Sequence, residues 1–187
     1  MQQNRWRSLW IGWLGLVVMS AGADEKFSPA LTESIEKHKQ VLVQWAANPK
    51  IVEAVRTSNA HGETGMIPGM SNSKWNLLED DDPLAKQFKD NPAGQLVLEW
   101  EQKYPNDLSK IYIRDKNGNL VASSRNKALL YNNRSKPPFE NAMKGHPWSA
   151  SEIKPDPGSQ VPGVHISVPV LDNGVPIGII HSSVIAK

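Results

Sequence analysis

Cysteine is absent from this chain of 187 residues. That single absence removes disulfides, thiolate catalysis, zinc–thiolate centres and a cysteine-borne lipid anchor together. Catalytic signatures are equally scarce: there is no Gly-x-Ser-x-Gly elbow, phosphate loop, dinucleotide fingerprint or His-Glu-x-x-His pair. The carboxylates cluster in turns, and the histidines near Ser167 and Ser183 are strand neighbours that need no nucleophile–base role. No enzymatic activity and no cofactor are therefore expected. Apolar length is short as well, since residues 9–19 form the one extended run, about half of the roughly 20 residues a membrane span needs.

That run has Arg5 and Arg7 before it and Ala21-Gly22-Ala23 after it. The pattern is a secretory signal peptide over residues 1–23, cut before Asp24, with an uncleaved anchor as the alternative. Cleavage leaves residues 24–187 as one domain of ordinary size, expected in the periplasm. It also removes two of the 21 basic residues, so 19 face 19 acids and the mature chain is formally neutral. A neutral chain without a Lys/Arg stripe does not suit nucleic acid, whose binding rests on phosphate neutralisation.

Leu31, Ile35, Leu42, Trp45, Val52 and Val55 mark one apolar helical face over residues 28–56, broken at Asn48-Pro49. Residues 59–73 read as loop. A second helical stretch covers 75–100, with Pro83 at a first-turn position behind the acids 79–82 and with Trp75, Phe88 and Trp100 as core. Those acids lack the spacing and glycine of a calcium loop, so they read as a solvated helix start. Strands follow over 110–115 and 120–124 around Asn117-Gly118, then an insert over 125–145 with a short helix at 139–144. A strand is expected over 148–153 and a loop over 154–163. The chain closes with runs over 163–171 and 175–185, joined by Asp172-Asn173-Gly174, a strong hairpin signal because both turn residues tolerate positive φ. In that hairpin His165 and Ser167, like His181 and Ser183, alternate with Val, Ile and Pro, so one sheet face is expected to be core and the other polar. The whole reads as α+β: a five-stranded antiparallel sheet with long N-terminal helices on one face and the irregular insert on the other.

Several segments in order resemble the extracytoplasmic Cache sensor domains, also called PDC domains, which are PAS-like in fold. They are Asn48-Pro49-Lys50-Ile51-Val52-Glu53-Ala54-Val55, Tyr104-Pro105, Ile111-Tyr112-Ile113-Arg114-Asp115 with Gly118 and Val121-Ala122, Ile166-Ser167-Val168-Pro169-Val170, and Ile177-Gly178-Ile179-Ile180. The resemblance implies a small-molecule pocket between sheet and insert. Residues 132–142 are similar to the segment that holds the ligand in amino-acid-sensing members. Carried over, Tyr131 keeps a tyrosine, Lys136 replaces an arginine, Pro138 and Phe139 stand for an aromatic pair, and Asn141 and Ser183 replace two aspartates.

With both anions gone, an ammonium group would be buried without compensation. The resemblance thus implies a small carboxylate or polar ligand lacking an amine, with Lys136 and Tyr131 on the carboxylate. Tyr112, Trp148, His165 and His181 complete the candidate ligand-binding set of Tyr131, Lys136, Phe139, Asn141 and Ser183. The two histidines lack a third ligand at suitable spacing, so no metal is expected. Receptors of this kind continue into a second span and a signalling module, whereas this sequence stops at Lys187. A separate membrane sensor or transporter is therefore the expected partner, the alternative being an interaction domain that binds no ligand.

Overall fold

A computed structural model of the chain describes residues 27–157 and 160–187. The expected signal peptide and its cleavage position lie outside the described residues. Four helices begin in the same way. α1 (Pro29–Ala46), α2 (Pro49–Ala60), α4 (Pro83–Asp90) and α5 (Pro92–Lys103) each place proline at the first turn behind Ser28, Asn48, Asp82 or Asn91. In each, the cap side chain accepts a backbone N–H two or three residues ahead, satisfying a donor the helix cannot. α3 (Asn72–Asn76) is capped by Ser71. The helical stretch expected over 75–100 is therefore three helices, because Asp82-Pro83 and Asn91-Pro92 each start a new one. The loop expected over 59–73 narrows correspondingly to 61–71.

Six antiparallel strands follow: β1 (Leu108–Asp115), β2 (Leu120–Ser123), β3 (Trp148–Ser149), β4 (Lys154–Pro155), β5 (Pro162–Asp172) and β6 (Val175–Ile185). Their order is β2-β1-β6-β5-β3, with β4 paired to the opening of β5. The path is thus the expected five strands, and the sixth arises inside the stretch read as loop. Another expectation changes more: the strand over 148–153 is two residues long and lies at the outer edge, on β5. At the β5–β6 turn Asn173 and Gly174 have φ of 49° and 81°, the geometry the Asn-Gly pair permits. Between β2 and β3 runs the insert, whose helix α6 (Pro137–Ala142) starts two residues earlier than expected because Pro137 opens it.

Strand alternation divides the sheet. Ile111, Ile113, Val164, Ile166, Val168, Ile180 and Val184 point to the helices and form one core with Leu42, Ile51, Val55 and Val97. Trp45 stacks on Trp100 at the edge of that core, with centroids 4.7 Å apart. Tyr112 and Arg114 alternate with the two isoleucines of β1 and so face the other way. Pairing of His165 with Ser183 and of Ser167 with His181 puts all four on that same second face. Among the described residues no helix is long and apolar enough to cross a membrane.

Gly178 fixes how β6 lies against β1 and α2. A Cβ there would press into the Arg114 carbonyl oxygen and come within 2.8 Å of Val55 Cγ1. Gly178→Ala is expected to cost about 1–3 kcal/mol of stability, as overpacking usually does. Urea denaturation measures it, and an unchanged midpoint would contradict the close approach.

Candidate functional site

The second face of the sheet is incompletely covered, and a cavity of about 630 Å³ opens over it. Its floor is Lys110, Tyr112 and Arg114 of β1, His181 of β6 and His165 of β5. Leu129, Leu130, Asn133, Lys136, Pro137 and Pro138 of the insert form one wall. Trp148, Ala150, Ser151 and Glu152, with Lys154, Asp156 and Pro157, form the other. Ala150 is held there by its N–H donating to the His165 carbonyl at 2.8 Å.

Arg114 is the central charge of this floor. It is only 2 % exposed, and its guanidinium donates to the carbonyls of Tyr131 and Leu130, the latter at 3.0 Å. Its Nε is buried with no partner, and it forms no ion pair among the described residues. The guanidinium carbon lies 5.6 Å from the Tyr112 ring centroid, close enough for cation–π attraction. Burial pulls the guanidinium down to about 10, opposed by Tyr112 and Asp115. It therefore stays a cation at neutral pH, desolvated and engaged in no ion pair among the described residues.

The other charges of the cavity are largely settled among themselves. Lys110 pairs with Asp156, and both side chains are almost completely buried. Lys154 pairs with Glu152 at 2.6 Å on the exposed rim. Lys110 sits at φ 36° where β1 slips register between Ser109 and Tyr112, a bulge that re-aims its side chain toward Asp156. Arg114 and Lys136 remain as cations with no carboxylate partner among the described residues.

His181 lies between Tyr112 and His165, with ring centroids 5.2 Å and 6.3 Å away. The Nδ1 atoms of both histidines and Oδ1 of Asn133 are buried without partners. Together with Arg114 Nε, four unsatisfied polar atoms therefore belong to residues that line one cavity, where such groups are rare in a folded protein. Burial lowers both imidazoles below their usual range; for His181 the nearby Arg114 adds to the effect, while Asp156 opposes it at both. Burial likewise pushes the Tyr112 phenol up to about 12. Among the described residues no group of three His, Asp or Glu gathers to hold a metal.

Of the candidate ligand-binding residues, the structure brings Tyr112, Lys136, Trp148, His165 and His181 to this cavity. The other four stand elsewhere. Tyr131 is fully buried beside Trp75 and Phe88, and its hydroxyl donates to the Thr64 carbonyl. Phe139 packs with Ala142 and Ile179 under α6. Asn141 donates to the Pro137 carbonyl and accepts from Lys144, and Ser183 is buried against Gly163. Arg114 and Asn133 are the residues the sequence reading did not single out. An arginine two places from Tyr112, in a strand whose intervening residues are isoleucines, was the available signal.

No family model and no curated protein matches the chain. Solved structures do. The sensor domain of the V. cholerae histidine kinase DctB is similar at 13 % identity and a TM-score of 0.55, covering 81 % of this chain and 49 % of that one. The Campylobacter jejuni chemoreceptor Tlp3 ligand-binding domain, in complex with L-norvaline, gives 16 % and 0.43, covering 88 % and 63 %. The Pseudomonas aeruginosa amino acid chemoreceptor PctC domain, in complex with GABA, gives 14 % and 0.42, covering 82 % and 62 %. The likeness to the DctB sensor domain gives this chain the fold of the Cache-type sensor domains. It spans about half the length of the DctB chain and under two thirds of the other two.

The depressed histidines set an acid limit on stability. Below about pH 6.5 the unfolded chain binds protons that folded His38, His165 and His181 refuse, so stability falls as pH drops toward their folded values. Melting temperature is expected to decline from about pH 7 to about pH 5, well above the range where ordinary carboxylates titrate. His181→Gln should flatten that decline; an equally steep one in the variant would place the effect elsewhere.

Proposed function

We propose that this chain is an extracytoplasmic sensing domain that binds a small carboxylate, or a polar neutral molecule, without an ammonium group. The observation that carries the reading is Arg114, a buried cation of the cavity lining whose Nε has no partner and which forms no ion pair among the described residues. Burying a charge is costly unless it is paired and hydrogen-bonded. A carboxylate ligand supplies both the charge and the acceptor, through the short, strong bonds that guanidinium groups make. Lys136 at the rim adds a second cation.

An ammonium group meets the opposite situation. The carboxylates at the cavity, Asp156 and Glu152, are already engaged by Lys110 and Lys154. Leu129, Leu130, Pro137, Pro138 and Trp148 offer an apolar body contact, so the ligand that fits is a carboxylate head on a non-polar frame. The signal-peptide pattern at the N-terminus supports a periplasmic location, and a separate membrane sensor or transporter is the partner that would read the bound state.

Calorimetric titration with matched pairs tests this: propanoate against alanine, and 3-phenylpropanoate against phenylalanine. The acid of each pair is expected to bind at least about tenfold more tightly than its amine counterpart, a difference of about 1.4 kcal/mol. Tighter binding of the amino acids would overturn the reading. Arg114→Gln should weaken the acids by about tenfold or more, the usual effect of losing a charge-assisted hydrogen bond, with circular dichroism confirming that the variant folds.

A further inference from the structure

We propose that the cavity takes up its carboxylate together with one proton, which settles on the His165–His181 pair. The inference rests on the carboxylate reading above and adds how binding is regulated. Its geometric basis is the placement of two imidazoles from neighbouring strands on one cavity floor, centroids 6.3 Å apart, each with a buried Nδ1 that nothing in the protein satisfies. A carboxylate has about four acceptor positions. Two of Arg114's five N–H donors are committed to the Tyr131 and Leu130 carbonyls, and the three that remain belong to one planar fork, so the histidines are placed to serve the ligand's further acceptor positions. A neutral imidazole offers a single N–H and an imidazolium offers two.

Charge explains why the proton arrives with the ligand and not before it. The imidazoles share the cavity lining with Arg114, Lys110 and the phenol of Tyr112 from β1, Lys154 from β4 and Lys136 from the start of α6. Against these stand Asp156, which Lys110 engages, and Glu152, which Lys154 engages. Desolvation and this cationic surplus hold both rings neutral. An anion in the same space reverses the balance and favours a charged ring. The proton comes from solvent or buffer onto an imidazole nitrogen, and no bond within the ligand changes. A single proton suffices, because two imidazoliums on adjacent strands would repel one another. Linkage then works in both directions: the ligand raises proton affinity, and acidification tightens ligand binding.

Calorimetry with 3-phenylpropanoate, in buffers of different ionisation enthalpy at one pH, reads the proton directly. Net uptake of up to about one proton per bound acid is expected, with affinity rising at least about tenfold between about pH 7.5 and about pH 5.5. Imidazole C–H resonances of the unmodified protein should shift their titration midpoints upward when the acid is present. In the His165→Gln/His181→Gln double variant the uptake should vanish. Binding of the acid with no proton uptake, or with uptake undiminished in the double variant, overturns this proposal while leaving the carboxylate reading in place. Failure of 3-phenylpropanoate and propanoate to bind anywhere in that pH range overturns both.

Discussion

The register between β1, β6 and β5 is the constraint on which the rest depends. Because side chains alternate, one residue of slip would carry Ile180 and Val168 to the cavity and His181 and Ser167 into the helical core. Two local devices fix it. The Asn173-Gly174 turn sets β5 against β6, and Gly178 lets the Arg114 carbonyl and Val55 approach where any side chain would collide. Within that register a continuous apolar layer faces α1, α2 and α5, and a row of ionisable side chains faces the insert.

From the register follows the position of Arg114, and from Arg114 follows the roof. Its guanidinium ties β1 to the main chain at Leu130 and Tyr131. Close by, the Asn133 N–H donates to the Gly118 carbonyl, and a Cβ on Gly118 would strike the backbone of Arg134. Tyr131 extends the link outward through its hydroxyl to the Thr64 carbonyl in the loop after α2. The same cation that organises the insert forms no ion pair among the described residues. Under the carboxylate proposal a structural role and a binding role meet in one residue, and occupancy of the cavity would be coupled to the segment that covers it.

Much of this architecture was legible in the sequence, because its signals are local. The proline-led helix starts, the two Asn-Gly hairpins and the alternation in β5 and β6 each follow from the conformational limits of a few neighbouring residues. The polar face of the hairpin was legible too, and with it the grouping of His165 and His181. Arg114 is not legible as a site residue, because the resemblance supplies a cation at Lys136 of the insert and Arg114 joins the cavity floor only once β1 is laid beside β6. The split of the helical stretch at Asn91-Pro92 rests on a local signal of the same kind as Asp82-Pro83, whereas the two-residue length of β3, at the sheet edge on β5, is not a local property of its sequence. Of the positions carried over from the resemblance, Tyr131 and Phe139 pack into apolar clusters, Asn141 bonds within and just after α6, and Ser183 lies on β6 against Gly163; where an insert's side chains pack is set by how it folds back on the sheet, which a segment-by-segment resemblance does not carry.

The measurement that bears most directly on the central claim is a crystal structure grown with 3-phenylpropanoate. Density for the carboxylate is expected within about 3.2 Å of Arg114 Nε, the limit of an ordinary hydrogen bond, with the ring lying along Leu130, Pro138 and Trp148. A cavity filled by the protein's own side chains, or an Arg114 guanidinium paired with a carboxylate of the chain, would contradict it.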